Sequence, residues 1–119
     1  MRRDIEIGFD GGRSMPALVK DADRRAVILR KFYDERHIRS WVGFPAEPNA
    51  TQEDKLITAN ICYQLYESGL IEWQTPGSDH RPMRGLPEGM GRITNLGVDV
   101  IEGNTKAPIA ISIDRSRWY

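Results

Sequence analysis

The side chains that could perform acid–base or metal chemistry are few and scattered along the chain. The two histidines, His37 and His80, lie far apart in the sequence, and the single cysteine, Cys62, sits in an apolar run. No Cys/His cluster has metal-ligand spacing, and no glycine-rich loop ends in Lys-Ser/Thr. Asp79 and His80 are adjacent, but neighbouring loop residues of this type are usually solvated. We therefore expect no enzyme, no metal and no cofactor.

Hydrogen-bonding side chains offer a different chemistry in the segment 52–64 and in the segment 80–92. An asparagine or glutamine amide can form two hydrogen bonds with an adenine edge in the major groove of DNA. Arginines on a mobile hairpin are suited to phosphates or to a narrow minor groove. The alternative is an ordinary solvated surface. The candidate DNA contacts are Gln52, Lys55, Asn60, Tyr63 and Gln64 in the first segment and His80, Arg81, Arg84 and Arg92 in the second.

The distribution of charge is uneven although the net charge of the 119 residues is zero. Lys and Arg outnumber Asp and Glu by three in residues 1–40 and by two in residues 81–119, whereas residues 41–80 carry a net charge of −5. Proteins that bind nucleic acids are usually basic, because neutralising phosphates releases counterions. Any surface that faces phosphates must therefore come mainly from the two ends of the chain. A second basic strip is formed by Arg24, Arg25, Arg30 and Lys31.

The first half of the chain predicts one strand and one helix. Alternation of Ile5, Ile7 and Phe9 with polar or small residues predicts a short strand over 4–9. A helix is expected to begin at Asp21 or Asp23 as N-cap and to end near His37. Its apolar stripe comprises Ile28, Leu29, Phe32 and Tyr33. Residues 41–45 are too short and too interrupted for a helix but can hold one brief strand.

The second half predicts two helices and a hairpin. Thr51 is the expected N-cap of a helix that runs to Ser68 and stops at Gly69. Strands are expected over 70–74 and 92–94, on either side of a glycine- and proline-rich loop over 75–91. A short helix closed by glycine follows over 95–103, and a final strand is expected over 108–114. On a wheel of the helix 51–68, the core-facing residues are Thr58, Cys62, Leu65 and Tyr66, and the outward ones are Asn60, Gln64 and Glu67.

Two segments carry a family resemblance: Leu65-Tyr66-Glu67-Ser68-Gly69-Leu70-Ile71 and Arg92-Ile93-Thr94-Asn95-Leu96-Gly97. In winged helix-turn-helix proteins the third helix ends in a turn with the sequence leucine, two polar residues, glycine, leucine and isoleucine. A later isoleucine and threonine, two residues and a glycine begin the helix after the wing. Over about residues 22–103 the chain resembles small bacterial and phage proteins of this superfamily. The resemblance implies an α+β winged-helix domain, extended by a short strand at each terminus.

The resemblance also implies a function, which is DNA binding and transcriptional control. It places the helix 51–68 in the major groove and makes the loop 75–91 the wing. One segment departs from the pattern, because residues 41–49 contain two prolines where a short second helix is standard. Either a distorted turn around residues 40–43 replaces that helix or the early part of 51–68 supplies it, so the docking geometry stays open. The alternative function is protein association without DNA binding, which the −5 segment would explain.

We expect a single domain over 1–119 that forms a homodimer. An exposed C-terminal strand offers unpaired backbone groups that a symmetry mate can satisfy, and two copies would cover two half-sites. The alternative is that the two terminal strands pair with each other. A lone cysteine, no signal-peptide pattern and no apolar run of membrane-spanning length predict a cytoplasmic protein without a membrane anchor. No small-molecule ligand is expected.

Overall fold

The computed structural model describes residues 20–77, 79 and 81–113. Over these residues the elements are α1 (Asp21–Glu35), β1 (Val42–Gly43), α2 (Gln52–Glu67), β2 (Ile71–Gln74), β3 (Met90–Ile93) and α3 (Asn95–Glu102). The arrangement is α+β, as expected, and is compatible with a winged-helix-like one. The strand predicted over 4–9 lies outside the described residues. None of the helices in this part of the chain combines the length and apolar character needed to cross a membrane.

Helix α1 begins without the N-cap that the sequence suggests. Lys20 is the N-cap residue and makes no side-chain capping bond, so the expectation of an aspartate N-cap is wrong. Asp21 and Asp23 instead lie in the first turn, where their negative charges interact favourably with the positive end of the helix dipole. The predicted stripe is confirmed, because Leu29 and Phe32 are fully buried at the centre of the core.

Helix α2 has the predicted ends. The hydroxyl of Thr51 accepts a hydrogen bond from the Asp54 amide at 3.0 Å, and the Asp54 carboxylate accepts one from the Thr51 amide at 3.3 Å. This capping box satisfies two backbone donors at once. Gly69 then reverses the chain with a left-handed φ of 79°.

The predicted phase of α2 is partly wrong. Ala59 and Ile61 are buried alongside Cys62 and Leu65, because α2 packs against both α1 and β2 and so needs a broad apolar face. Tyr66 is not in the core: it is exposed, and its ring lies 5.7 Å from that of Tyr63 on the outer side of the helix.

The sheet has the order β1-β3-β2 and is antiparallel throughout. β1 is the single brief strand expected in residues 41–45, and β2 and β3 form the expected hairpin. Gly91, in the central strand, pairs with Val42 on one side and Trp73 on the other. A side chain at Gly91 would collide with the Trp73 ring, which packs edge-on against Phe32 with centroids 6.4 Å apart. The glycine thus lets the central strand lie directly under the aromatic core.

Helix α3 follows β3 directly and is closed by a glycine as expected, whereas Thr94, predicted as the end of a strand, is its N-cap. The Thr94 hydroxyl accepts a hydrogen bond from the Gly97 amide at 3.1 Å, and Gly103 ends the helix in a left-handed conformation. Val100 and Ile101 of α3 are buried in the same cluster as Leu70 and Ile71. The described helices and strands therefore share one hydrophobic core.

Residues 107–113, here called the C-terminal strap, do not form the predicted strand. The expectation of a strand over 108–114 is wrong as far as residue 113, where the structure describes no ladder. Ile109, Ile111 and Ile113 are half-buried against the core, and the residues between them are exposed. The Ser112 amide donates to the Ala22 carbonyl at 3.1 Å, so the strap lies on α1. The alternation arises from packing on a helix, whose backbone groups are already paired and cannot form a ladder.

Candidate nucleic-acid interface

The loop between β2 and β3 returns to the exposed side of α2. β2 follows α2 directly, and its hairpin partner β3 brings the intervening residues 75–89 back beside the helix. A methyl group at Gly85 would lie 3.8 Å from the side-chain oxygen of Asn60. The guanidinium of Arg84 lies 4.9 Å from the centroid of the Tyr63 ring. The structure thus brings together three of the residues that the sequence proposes for one surface.

We call this region the α2–loop surface, and it consists of one row of α2 with the part of the loop above it. Residues three and four apart on a helix share a face, and the helix residues of this surface follow that spacing. Their row lies on the side of α2 away from the core. Its members are Leu56, Asn60, Tyr63 and Glu67 of α2 with Arg84 and Gly85 of the loop.

Gln64 does not belong to the α2–loop surface. It is half-buried, and its amide oxygen accepts a hydrogen bond from Arg25 Nε at 2.8 Å, so the expectation that it faces outward with Asn60 is wrong. The same arginine donates to the Ala110 carbonyl at 2.9 Å and so ties α2 to the C-terminal strap. Because a guanidinium only donates, the Gln64 oxygen is the atom held against α1, and a two-bond contact with adenine would require the side chain to turn away from Arg25.

The two remaining helix candidates lie near the start of α2. Gln52 is exposed in the first turn and Lys55 is half-buried. Glu53 and Asp54 lie between them in the sequence, and α2 has no basic residue in its last turn. An acidic first turn stabilises the helix through its dipole but repels an approaching phosphate.

The loop arginines each face a carboxylate. Arg81 donates to Asp79 Oδ2 from Nη2 at 2.9 Å and from Nε at 3.1 Å. Its carbonyl accepts from the buried hydroxyl of Thr75 at 2.7 Å, which anchors the base of the loop. Arg84 lies 3.7 Å from Glu67 Oε2. His80, the fourth residue proposed for the wing, lies outside the described residues.

Arg92 lies on the outer face of the sheet rather than at the tip of the loop. Its guanidinium lies 4.5 Å from the centroid of the Trp41 ring, and its Nε donates to Glu72 Oε1 at 3.0 Å. Glu72 is its cross-strand partner in the register of β2 and β3. Arg92 therefore belongs to a cluster that spans the sheet.

The basic strip of α1 is also engaged within the chain. Arg24 pairs with Asp21 at 3.2 Å and Arg30 with Asp34 at 2.9 Å. Lys31 pairs with Glu47 and lowers the pKa of that carboxyl, chiefly by hydrogen bonding to it. Arg24 also lines a shallow cavity between α1 and α2 together with Asn60, so the N-terminal part of the strip lies beside the α2–loop surface.

The charge of the region formed by α2, β2, β3 and the loop is slightly negative. Its described cations are Lys55, Arg81, Arg84 and Arg92, and its described carboxylates are Glu53, Asp54, Glu67, Glu72, Asp79 and Glu88. Exposed ion pairs contribute only about 0–1 kcal/mol, so a phosphate can displace a carboxylate at small cost. The displaced carboxylates remain close by, however, and limit the attraction of a polyanion.

The segment before α2 contains no second helix in its described residues. A turn at residues 36–38, β1 and an irregular stretch fill residues 36–51, and α2 is one uninterrupted helix. The side chain of Lys31 holds the irregular stretch against α1 by donating to the Pro45 carbonyl at 3.4 Å. Neither of the two replacements suggested by the sequence supplies the missing helix.

Cys62 and the possible metal ligands can be assessed among the described residues. Burial raises the pKa of the Cys62 thiol to about 12, which keeps it protonated and unreactive. No group of three or more His, Cys, Asp or Glu side chains in this part of the chain is placed to hold a metal ion.

Sequence analysis did not identify the partners of the candidate residues. Glu67 and Asp79 each neutralise one arginine of the loop, and Glu72 neutralises Arg92 of β3. Arg25 donates a hydrogen bond to Gln64. Arg81 and Asp79 are neighbours in sequence, so that pair could have been anticipated. The others join residues 17 to 39 positions apart and depend on how the elements pack.

No protein-family model, curated protein sequence or solved structure matches the chain. Its function must therefore be inferred from its own residues and their geometry.

Proposed function

We propose that the chain is a winged-helix-like module that binds duplex DNA through the α2–loop surface. The observation that carries this proposal is the return of the arginine-bearing loop to the exposed row of α2. DNA recognition of this type combines base contacts from a helix with phosphate contacts from neighbouring segments. The order of α2, β2, loop and β3 supplies both from one continuous stretch of chain.

In this proposal the residues have separate roles. Asn60 carries an exposed amide on the outer row of α2 and is the side chain best placed to bond a base edge. Arg81 and Arg84 leave the carboxylates with which they pair and bind phosphates instead. The acidic surroundings make binding weak, and about three to five phosphate contacts give a slope of log K against log salt near −3 to −4.

The test is a titration of the full chain with labelled random-sequence duplexes across a salt series, starting at ~50 mM, where phosphate contacts are strong. Replacing Arg81 and Arg84 by alanine is expected to weaken binding and flatten the slope by about 2. Arg39→Ala is the matched control, because Arg39 pairs with Glu35 on α1 and shares no contact with the α2–loop surface. No binding by the wild-type chain at the lowest salt would overturn the proposal.

The second candidate function is protein association without DNA binding. The observation that favours it is the pairing of every described loop arginine with a carboxylate, in a region with more acidic than basic side chains. Tyr63, Tyr66 and Arg84 are also of the types enriched at protein interfaces. The same titration separates the two functions, because this one predicts no duplex binding at low salt.

A homodimer stays a prediction, since one small module covers a single half-site. The C-terminal edge strand on which it was based does not form in the described residues 108–113, where the isoleucines pack on the core of their own chain. Truncation after Lys106 would therefore expose the core and is a poor test. Sedimentation of the full chain over a range of micromolar concentrations is the better one, and a concentration-independent monomer would contradict the prediction.

A further inference from the structure

We propose that Arg84, Tyr63 and Glu67 form a latch that holds the loop closed over α2 and opposes DNA binding until it opens. We call these three residues the Arg84 latch. The inference rests on the function proposed above and assigns regulation to the same surface.

The latch is formed by one side chain of the loop and two of the helix. Tyr63 and Glu67 are four residues apart on α2 and so present a ring and a carboxylate side by side. The Arg84 guanidinium lies over the ring at 4.9 Å from its centroid and 3.7 Å from Glu67 Oε2. Both contacts use the same guanidinium, so both are lost when Arg84 moves away from α2.

Closure of the latch places the loop beside the residue proposed to contact bases. Gly85 has a left-handed φ of 77°, which bends the chain just after Arg84. This bend places Gly85 next to the Asn60 side chain, within ordinary contact distance of a methyl group. While Arg84 lies on Glu67, Gly85 therefore stays next to the exposed Asn60 side chain and narrows the approach of a DNA base edge to it.

DNA binding and latch closure compete for the same guanidinium. Arg84 can neutralise either Glu67 or a phosphate, and Glu67 left alone would face the incoming phosphates. Glu67 is thus a positioning residue that lowers the affinity for DNA in two ways. It holds Arg84 away from the phosphates, and its own charge repels the DNA backbone. An exposed ion pair corresponds to a population ratio of up to about fivefold, and an exposed cation–π contact to about two- to fivefold.

The chain contains a direct reporter of the latch. Residues 75–91 include two arginines, and the bond after Arg81 resists trypsin because Pro82 follows it. The bond between Arg84 and Gly85 is the remaining tryptic site in this loop. Trypsin must insert the guanidinium of Arg84 into its own pocket, so cleavage at this bond requires an open latch.

The experiment measures native-state cleavage at Arg84 in the wild-type chain and three variants. Glu67→Gln removes the ion pair and is expected to speed cleavage about two- to fivefold. Glu88→Gln also removes one negative charge, from the loop that carries Arg84, but leaves the described latch contacts intact. It is expected to leave the cleavage rate unchanged. Tyr63→Phe retains the ring and is expected to remain close to wild type. The melting temperature of each variant shows whether cleavage comes from the folded state.

Duplex binding is measured with the same proteins at low salt. Glu67→Gln is expected to bind at least about twofold more tightly than Glu88→Gln, because it frees Arg84 in addition to removing a charge. Equal cleavage rates in these two variants would overturn the latch whatever the binding result. Faster cleavage in Glu67→Gln with equal DNA affinities would overturn its role in binding. Absence of DNA binding by all four proteins would overturn the proposed function and the regulation that rests on it.

Discussion

Gly97 is the residue at which helix α3 touches the sheet most closely, and it provides the sharpest test of the fold. It lies in the first turns of α3 and is buried. A β-carbon at this position would overlap the backbone carbonyl oxygen of Leu70 and would lie 2.5 Å from Ile93 Cγ1. Side-chain carbons do not approach other atoms this closely, so Gly97→Ala requires α3 to move away from Leu70 and from Ile93 of β3.

Two opposing effects determine the stability of Gly97→Ala. Alanine is favoured over glycine inside a helix by about 1 kcal/mol. Overpacking a tight site costs about 1–3 kcal/mol, and occasionally more. The Leu70 carbonyl belongs to the backbone and cannot rotate away, so the cost is expected at or above the upper end of that range. We therefore expect a net destabilisation of about 2 kcal/mol or more, or a decrease in melting temperature of roughly 8 °C or more.

Urea denaturation followed by tryptophan fluorescence measures this change, because Trp73 is buried in the core. Gly43→Ala is the control: no heavy atom lies within 4 Å of a β-carbon at Gly43. Its stability should change by no more than about 0.5 kcal/mol. A Gly97→Ala variant as stable as the wild type, with an unchanged denaturant slope, would refute the close packing of α3 on Leu70 and Ile93.

Three further predictions concern the core and the ends of α2. Leu65→Ala should destabilise the protein by about 2–5 kcal/mol through a cavity in the core, and a smaller loss in urea denaturation would contradict the burial of Leu65. Thr51→Ala should cost about 1 kcal/mol in the same assay, because it breaks the capping box with Asp54. The Cys62 thiol should resist a thiol reagent at pH 8 in the folded protein and react on unfolding. Since burial raises its pKa from 9.0 to about 12, the unfolded chain ionises first, and stability relative to Cys62→Ala should fall as the pH rises above 9.0.

The sequence by itself determined the elements whose signals are local. The ends of α2 follow from Thr51 and Gly69, and those of α3 from Thr94 and Gly103, because capping bonds and left-handed glycines act within a single turn. The stripe around Leu29 was visible for the same reason, since a helical period depends only on neighbouring residues. The hairpin of β2 and β3 was likewise indicated by two apolar segments flanking a glycine-rich loop.

Only the tertiary structure decided what each exposed or half-exposed side chain meets. The alternating isoleucines of the C-terminal strap indicate one buried face, but not whether a strand or the helix α1 covers it. A helical wheel divides α2 into two sides, yet Gln64 turns to Arg25 because α1 packs beside it. Arg84 is neutralised by Glu67 because the sheet register returns the loop to α2. A hydrophobic or charged pattern specifies which side of a helix or strand is buried or forms ion pairs. Which residues cover or pair with that side depends on contacts between residues far apart in the chain.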